Sequence, residues 1–255
     1  MTEVWPDDAA RDRLIGDWYL WQRKGGHRTS TDDILPAWLA CRLLEGRRPT
    51  TYIDIGCGIG SVLLMTAWRL RPHQCWGVEA QAQSAMMARR SVRELPDGAP
   101  PIEVVVGDMR SVDVTALPKA ELITGSPPYF PVGTGVLSPD PQRQACRFEL
   151  RGGIEAYCAT AARLLAPTGL FTVVFIAKGI PRLEAAADAA GLVETHRVLW
   201  RMREDSEHFL SVHALRLAPA DGTRPPLVIE DGAVRRADGS LTEEYVSLRE
   251  LMGLA

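Results

Sequence analysis

Two stretches carry residue types and spacings that can do chemistry: Asp54-Ile55-Gly56-Cys57-Gly58-Ile59-Gly60 and Gly125-Ser126-Pro127-Pro128-Tyr129. In the first, three glycines follow Tyr52-Ile53 and Ile55, the end of a buried strand, and precede a helix that starts near Ser61. Glycine tolerates positive φ and lets a ligand approach the backbone. A turn of this kind, opening on a helix N-terminus, is a cofactor loop of an α/β sheet. The spacing is G-x-G-x-G with an acid two residues ahead, related to the G-x-G-x-x-G of dinucleotide loops but distinct from it. The plain alternative is an ordinary strand-turn-helix corner. Glu79 stands at the end of the next strand, about 20 residues past the glycines, where a carboxylate can accept both hydroxyl protons of a ribose diol. Asp108 stands at the end of the third strand, where its carboxylate can accept hydrogen bonds. For both acids the plain alternative is a helix cap. In the second stretch, two prolines cannot continue a central strand. They stiffen a loop at the carboxyl edge of the sheet, where open α/β sheets bind ligands.

The elements that must position these residues can be read in order. Met1 to Arg13 has no clear pattern and reads as an arm. Asp17 to Arg28 mixes aromatics with positive charge, which suits nucleic-acid stacking or, more simply, an edge hairpin with solvated charges. A helix from about residue 31 to Glu45 has Thr31 or Asp32 as N-cap, Pro36 inside its start and Gly46 at its end. Thr50–Ile55 is the first sheet strand, Ser61–Arg71 a helix with Val62, Leu63, Met65, Thr66 and Leu70 inward, and Gln74–Val78 the second strand. A helix over 81–94, a strand over Ile102–Val106 and a strand over Glu121–Thr124 follow. Pro131 to about Gly152 is a long Gly- and Pro-rich loop carrying Arg143, Arg147 and Arg151, and a loop of that length is functional or disordered. A helix over Ile154–Leu165, closed by Pro167 and Gly169, leads to a fifth strand, Leu170–Ile176, and a helix over 180–190. Thr195–Arg203 and Leu210–Ala218 form an antiparallel hairpin. A short strand at Pro225–Ile229, a turn over Ala233–Ser240 and a helix from Thr242, with Glu243 and Glu244 in its first turn, complete the chain.

Composition narrows the function. The 255 residues suit one large α/β domain with additions. A hydrophobic fraction of 46% supports a substantial core, and a net charge of -3 provides no global attraction to nucleic acid, so any such contact must be local. The 5 cysteines form no C-x-x-C pair, which argues against zinc or a disulfide scaffold and fits a reducing cytoplasm. The acidic start is not a signal peptide, and no apolar run is long enough to span a bilayer.

The glycine corner resembles motif I of S-adenosylmethionine (SAM)-dependent methyltransferases of the Rossmann-like class. Ser126-Pro127-Pro128-Tyr129 resembles the Asn/Asp/Ser-Pro-Pro-Tyr/Phe motif of amino-methyltransferases. Over nearly its whole length the chain resembles the bacterial tRNA-valine adenine-N6 methyltransferase family. Gln22 with Arg28 to Asp33, Pro141 to Arg147, and Leu227-Val228-Ile229 with Tyr245 carry that wider likeness. The fold implied is a class I methyltransferase, a seven-stranded mostly parallel sheet with a C-terminal antiparallel hairpin and helices on both faces. Residues 1–48 would be an extension covering the cofactor pocket, 49–218 the SAM-binding domain, and 219–255 a strand and helix packed on it.

The resemblance implies methyl transfer to an exocyclic amine, with Ser126 and the Pro127 carbonyl accepting from its N–H groups, Pro128 stiffening the turn and Tyr129 stacking on the base. Electrostatic placement does most of such work. SAM would be held by Asp54, Gly56, Cys57, Gly58, Gly60, Glu79, Asp108 and Met109, with Gln22, Thr31 and Asp32 closing the pocket. Phe130, Arg143 and Arg147 would meet the substrate, a tRNA, with no metal and no membrane involved. Serine stands where many relatives have asparagine, and its hydroxyl is a shorter and less directional acceptor. Another substrate (a different RNA or DNA base, a protein glutamine, a small molecule) and a non-catalytic SAM-binding protein fit the same residues.

Overall fold

In the computed structural model, which describes residues 4–111, 116–135 and 138–254, two strands precede the main sheet. Strands β1 (Ala9–Ile15) and β2 (Trp18–Arg23) pair antiparallel as a hairpin. The pattern over residues 1–13 therefore conceals a strand. Its polar residues face outward, while Trp18 and Leu20 of the partner are each 1% exposed and anchor the hairpin. Two charges of this stretch are used internally, Arg23 pairing with Asp8 at 2.8 Å and Asp140 at 2.7 Å and Arg28 with Asp12 at 3.1 Å, while its aromatics are covered by Arg90 over Trp21 and Arg11 over Tyr19. Residues 1–3 of the expected arm and 136–137 of the expected loop lie outside the described residues.

Helix α1 (Thr31–Leu43) follows. Its N-cap is Ser30, not Thr31 or Asp32, and the Ser30 backbone N–H donates to Asp33 Oδ2 at 3.2 Å. Pro36 lies beyond the first turn, and its carbonyl accepts from Thr172 Oγ1 at 3.0 Å. The sheet strands are β3 (Thr51–Ile55), β4 (Gln74–Glu79), β5 (Ile102–Val106), β6 (Ala120–Gly125), β7 (Leu165–Ile176), β8 (Leu192–Arg203), β9 (His208–Leu217) and β10 (Val228–Arg235). Their order is β10-β8-β9-β7-β6-β3-β4-β5. Strands β3 to β7 run parallel, and β8 and β9 form the antiparallel hairpin. To the expected arrangement β10 adds an edge strand parallel to β8. It continues through Ala233 and Val234, read above as a turn, because both are buried in the sheet at 8% and 4% exposure.

Helices α2 (Ser61–Leu70) and α3 (Ala82–Arg93) share one apolar cluster with α1, the β1–β2 hairpin and the last helix, α7 (Glu243–Leu251). Helices α5 (Ile154–Leu164) and α6 (Ile180–Ala189) build the second cluster on the opposite face. Two boundaries differ from the sequence reading. Strand β7 begins at Leu165, so Pro167 and Gly169 lie within it, where its pairing with β6 shifts register. The segment after Tyr129 contains helix α4 (Pro141–Arg147), with Pro141 in its first turn and Asp140 Oδ1 accepting from the Arg143 N–H at 2.9 Å. That N-cap side-chain bond and N-terminal proline let seven residues hold a helix inside a Gly- and Pro-rich stretch.

The strand order reverses at β3. Chain direction runs outward through β4 and β5 on one side and through β6 and β7 on the other, which makes the β3/β6 boundary a topological switch point. Among the described residues no helix is long and apolar enough to cross a membrane.

Candidate active site

The last paired residues of β3 and β6 are Ile55 and Gly125, opposite one another in register. The glycine corner starts one residue after Ile55 and the proline corner one residue after Gly125. Adjacent strands are about 5 Å apart, so the two corners leave the sheet side by side and line one cleft.

Gly56, Gly58 and Gly60 have φ of +67°, +57° and +94°. A Cβ on Gly56 would lie 2.0 Å from the Tyr157 hydroxyl, so a phenol packs directly on the backbone there. A Cβ on Gly58 would meet nothing within 4 Å, because that position opens on the cleft. Glu79 straps the corner: Oε2 accepts from the Gly58 N–H at 2.8 Å and Oε1 from the Gln81 N–H at 2.6 Å. The cap that competed with the ribose role in the sequence is therefore present. It uses one lone pair on each oxygen and leaves a second on each. Burial raises the Glu79 carboxyl, opposed by these backbone N–H groups.

Asp54, 1% exposed, lies at the floor. Its Oδ1 accepts from Thr124 Oγ1 at 2.6 Å, and Thr124 shares a 2.8 Å hydrogen bond with the Tyr52 hydroxyl. Its Oδ2 has no hydrogen-bond partner among the described residues. Burial pushes the Asp54 carboxyl up to about 7, against the opposing pull of Thr124 and of the Leu63 N–H at the start of α2.

On the second corner, the Tyr129 ring stands edge-on to Phe175 at 5.9 Å, and its hydroxyl donates to Asp32 Oδ2 at 3.2 Å. Burial lifts the Tyr129 phenol well above its ordinary range, helped by the Asp32 and Asp33 carboxylates and opposed by the Ser126 hydroxyl. Ser126, Pro127 and Pro128 line the cleft beside it.

Residues 27–33 make the third wall, where His27, Asp32 and Asp33 face the cleft. Thr29 Oγ1 and Ser61 Oγ are 2.9 Å apart and join this wall to the glycine corner. Asp33 is raised well above its ordinary value by burial and by the neighbouring Asp32 and Asp54. Asp108 and Met109 also line the cleft. Arg110 pairs with Asp108 at 2.6 Å and holds its carboxyl below the usual range.

The expected residues divide cleanly by position. Asp32, Asp54, Gly56, Cys57, Gly58, Glu79, Asp108, Met109, Ser126, Pro127, Pro128 and Tyr129 line the cleft; Gly60, Gln22, Thr31, Phe130, Arg143 and Arg147 do not. Gly60 is the N-cap of α2 and lies beneath it. Gln22, 4% exposed, takes the Thr29 N–H at 3.1 Å and donates to Asp12 at 2.7 Å, so it holds the third wall from behind. Phe130 is 36% exposed, with Phe148 at 6.0 Å and the Arg147 guanidinium at 5.7 Å. Arg143 Nε donates to the Gly26 carbonyl at 3.1 Å. His27, Ser61, Arg151 and Tyr157 also line the cleft and were not expected there. Tyr157 is a helix residue with no motif around it, and only the Gly-Gly before His27 signalled an unusual backbone.

The donors fit a cationic adenosyl cofactor. Four acidic side chains besides Asp54 border the cleft, and Asp54 presents an unpartnered buried oxygen; a positively charged sulfonium and ammonium would satisfy them. Among the described residues no cluster of His, Cys, Asp and Glu could hold a metal ion.

No protein-family model matches the chain. The tRNA1(Val) (adenine(37)-N6)-methyltransferase of Dickeya chrysanthemi is 30% identical over 235 residues, covering 86% of this chain and 87% of the relative. That of Bacteroides fragilis is 30% identical over 183 residues, 71% and 73% of the two chains. That of Porphyromonas gingivalis is 26% identical over 226 residues, 88% and 87%. Among solved structures, a predicted O-methyltransferase of Agrobacterium tumefaciens superposes with a TM-score of 0.61 at 20% identity, covering 88% of this chain and 98% of that one. A putative RNA methyltransferase of Pyrococcus horikoshii gives 0.53 at 17% identity, covering 76% and 86%. At these identities the two structures speak for the fold.

Proposed function

Because the chain belongs to the tRNA1(Val) (adenine(37)-N6)-methyltransferase family, we propose that it transfers a methyl group from SAM to adenine N6 of a tRNA. The observation that carries this reading is the pairing of Ile55 with Gly125, which puts a cofactor corner and an amine-binding corner in one cleft. In this reading Asp54, with Gly56, Cys57 and Gly58, receives the amino-acid end of the cofactor, Glu79 its ribose, and Asp108 and Met109 its adenine. Asp32 faces the cofactor from the third wall, while Gly60, Gln22 and Thr31 position the walls. When bound, the cofactor supplies an electrophilic methyl on a sulfonium.

The chain's own residues do the rest. An aromatic amine is a poor nucleophile because its lone pair is delocalised into the ring. Ser126 Oγ and the Pro127 carbonyl accept from its N–H groups and draw the nitrogen toward tetrahedral geometry. Tyr129, fixed by Asp32 and Phe175, holds the base in plane, so the reacting atoms meet in line. The Pro127-Pro128 pair removes backbone freedom from this corner before substrate arrives.

Substrate contact outside the cleft falls to Phe130, Arg143 and Arg147, the guanidiniums serving phosphates. We assign residues 1–48 to a cover over the pocket, 49–218 to the transfer domain and 219–255 to its C-terminal support, and place the activity in the cytoplasm. The test is SAM binding by the purified protein together with transfer of labelled methyl to bulk tRNA. Transfer to N6 of adenosine supports the reading. Binding without transfer to any nucleic acid or protein would instead indicate a cofactor-binding protein disabled at Ser126.

A further inference from the structure

We propose that Tyr157 is a positioning residue of the reaction: its ring fixes the gap between the glycine corner and the proline corner, and with it the distance over which the methyl group moves. The inference rests on the functional reading above and deepens it. In-line transfer from a sulfonium to an amine has one demand that neither corner meets alone. The two must be held at one separation, because a misplacement of about 1 Å can cost on the order of a hundredfold in rate.

On one face of the sheet that separation is set by a hydrogen bond. Alternate residues of a strand face opposite sides. Tyr52 and Leu122 face the cluster that holds α1 and α2, while Ile53, Ile55 and Ile123 face the cluster that holds α5. On the first side Thr124 Oγ1 donates to Asp54 Oδ1 at 2.6 Å and ties the end of β3 to the end of β6.

On the other face the place is taken by Tyr157, which enters from α5 and is 4% exposed. The Cδ1–Cε1 edge of its ring lies under Gly125, where a Cβ would be 2.8 and 3.1 Å from those two atoms. Its hydroxyl end lies under Gly56, where a Cβ would be 2.0 Å from Oη and 2.9 Å from Cζ. All four are shorter than the roughly 3.5–4.0 Å of an ordinary non-bonded contact, so one ring is in touch with both corners. At Gly56 the positive φ is reason enough for glycine. Gly125 ends β6 without a positive φ, and the next atom its Cβ would meet, Ile55 Cγ1 at 3.5 Å, does not obstruct it. The ring is therefore what keeps a side chain from position 125.

The helix behind the ring gives it no room to retreat. Ile154, Cys158, Ala161 and Leu164 of α5 are each at most 2% exposed in the second cluster. Thr160 Oγ1 donates to the Met109 carbonyl at 3.4 Å, and Arg182 holds Glu155 at 2.6 Å.

The test is a double-mutant cycle read as the single-turnover methylation rate at saturating SAM and tRNA, with both dissociation constants and a thermal melt for each variant. Tyr157→Phe keeps the ring against both corners and should retain at least about a third of the rate. Tyr157→Leu removes the ring and should fall at least about tenfold in rate, with both dissociation constants within about threefold. Gly125→Ala should cost at least about fivefold beside the tyrosine but less than about twofold in the Tyr157→Leu background, where the added methyl has room. A residue that serves stability alone would move the melt and leave the rate of the folded protein unchanged. Tyr157→Leu as fast as wild type, Tyr157→Phe as slow as Tyr157→Leu, or an equal cost of Gly125→Ala in both backgrounds overturns the role. Should Tyr157→Leu not fold, Gly125→Ala alone decides: a folded variant at the wild-type rate overturns the role, and a slowed one supports it. Absence of any tRNA methylation by wild type would overturn the functional reading itself, and this inference with it.

Discussion

Replacing Asp54 with asparagine should stabilise the cofactor-free protein while weakening its hold on SAM. Burial moves the Asp54 ionisation from 3.8 to about 7, a difference worth on the order of 4 kcal/mol. The sign follows from proton binding. The folded state holds this proton more tightly than the unfolded chain, so stability is lost as pH rises from about 4 through about 7. Asparagine has no charge to strand. Its Oδ1 can still accept from Thr124, but its amide nitrogen replaces the unpartnered Oδ2, at a cost of roughly 1–3 kcal/mol. Asp54→Asn should then be more stable by about 1–3 kcal/mol near pH 8, which at roughly 2–4 °C per kcal/mol raises Tm by several degrees. Near pH 5 less than about half of that advantage should remain, because the native carboxyl is by then largely protonated in the fold. Saturating SAM should reverse the ranking, since ligand stabilisation grows with affinity for the native state. Thermal unfolding of both proteins at the two pH values, with and without SAM, reads all three effects. A variant less stable than wild type near pH 8, or a difference that ignores pH, would refute the reasoning.

Three further outcomes are expected. Ser126→Asn should keep or increase transfer to adenine in a methylation assay, because an amide oxygen is the more directional acceptor; complete loss would mean that this corner binds something else. Arg147→Ala should weaken RNA binding and flatten its log–log salt dependence by about 1, leaving SAM affinity alone. A fall in SAM affinity without a change in RNA binding would remove Arg147 from the RNA surface. Arg182 on α6 bonds Glu149 at 2.6 and 2.9 Å and Glu155 at 2.6 Å, tying down the segment that carries Arg151 and Gly152. Arg182→Ala should cost only about 1 kcal/mol in a melt, since the network is partly exposed, yet raise the SAM dissociation constant several-fold; an unchanged constant would show that the segment holds its place without this tie.

The features legible in the sequence are those with a local physical cause. Short apolar runs bounded by turn residues marked strands β3 to β9, and the glycine and proline corners marked the carboxyl rim because both break regular backbone for reasons internal to the residue. The strand order that sets Ile55 opposite Gly125 is nonlocal and had to come from the fold pattern. Helix α4 was obscured because Pro and Gly around it mimic a loop, although Asp140-Pro141 is itself a helix start. Strand β1 was obscured because its middle, Arg11-Asp12-Arg13, is polar and its buried residues, Leu14 and Ile15, come only at its end. His27 and Tyr157 reach the cleft through tertiary packing alone, with Tyr157 visible only in the void that Gly56 leaves for it. Arg143 and Gln22, assigned to ligands, also hold the protein's own frame: Arg143 donates to the Gly26 carbonyl, and Gln22 accepts from the Thr29 N–H and donates to Asp12. Their neighbours in sequence mark a site, but side-chain direction is set by what packs behind them.

The most direct test of the account is mass spectrometry of tRNA nucleosides from cells with and without this gene, followed by in vitro reaction of the unmodified tRNA with the purified protein and deuterated-methyl SAM. N6-methyladenosine at one tRNA position should disappear with the gene and return carrying the heavy methyl. An unchanged nucleoside profile, or heavy label on a ring nitrogen or a ribose oxygen in place of the exocyclic amine, would contradict it.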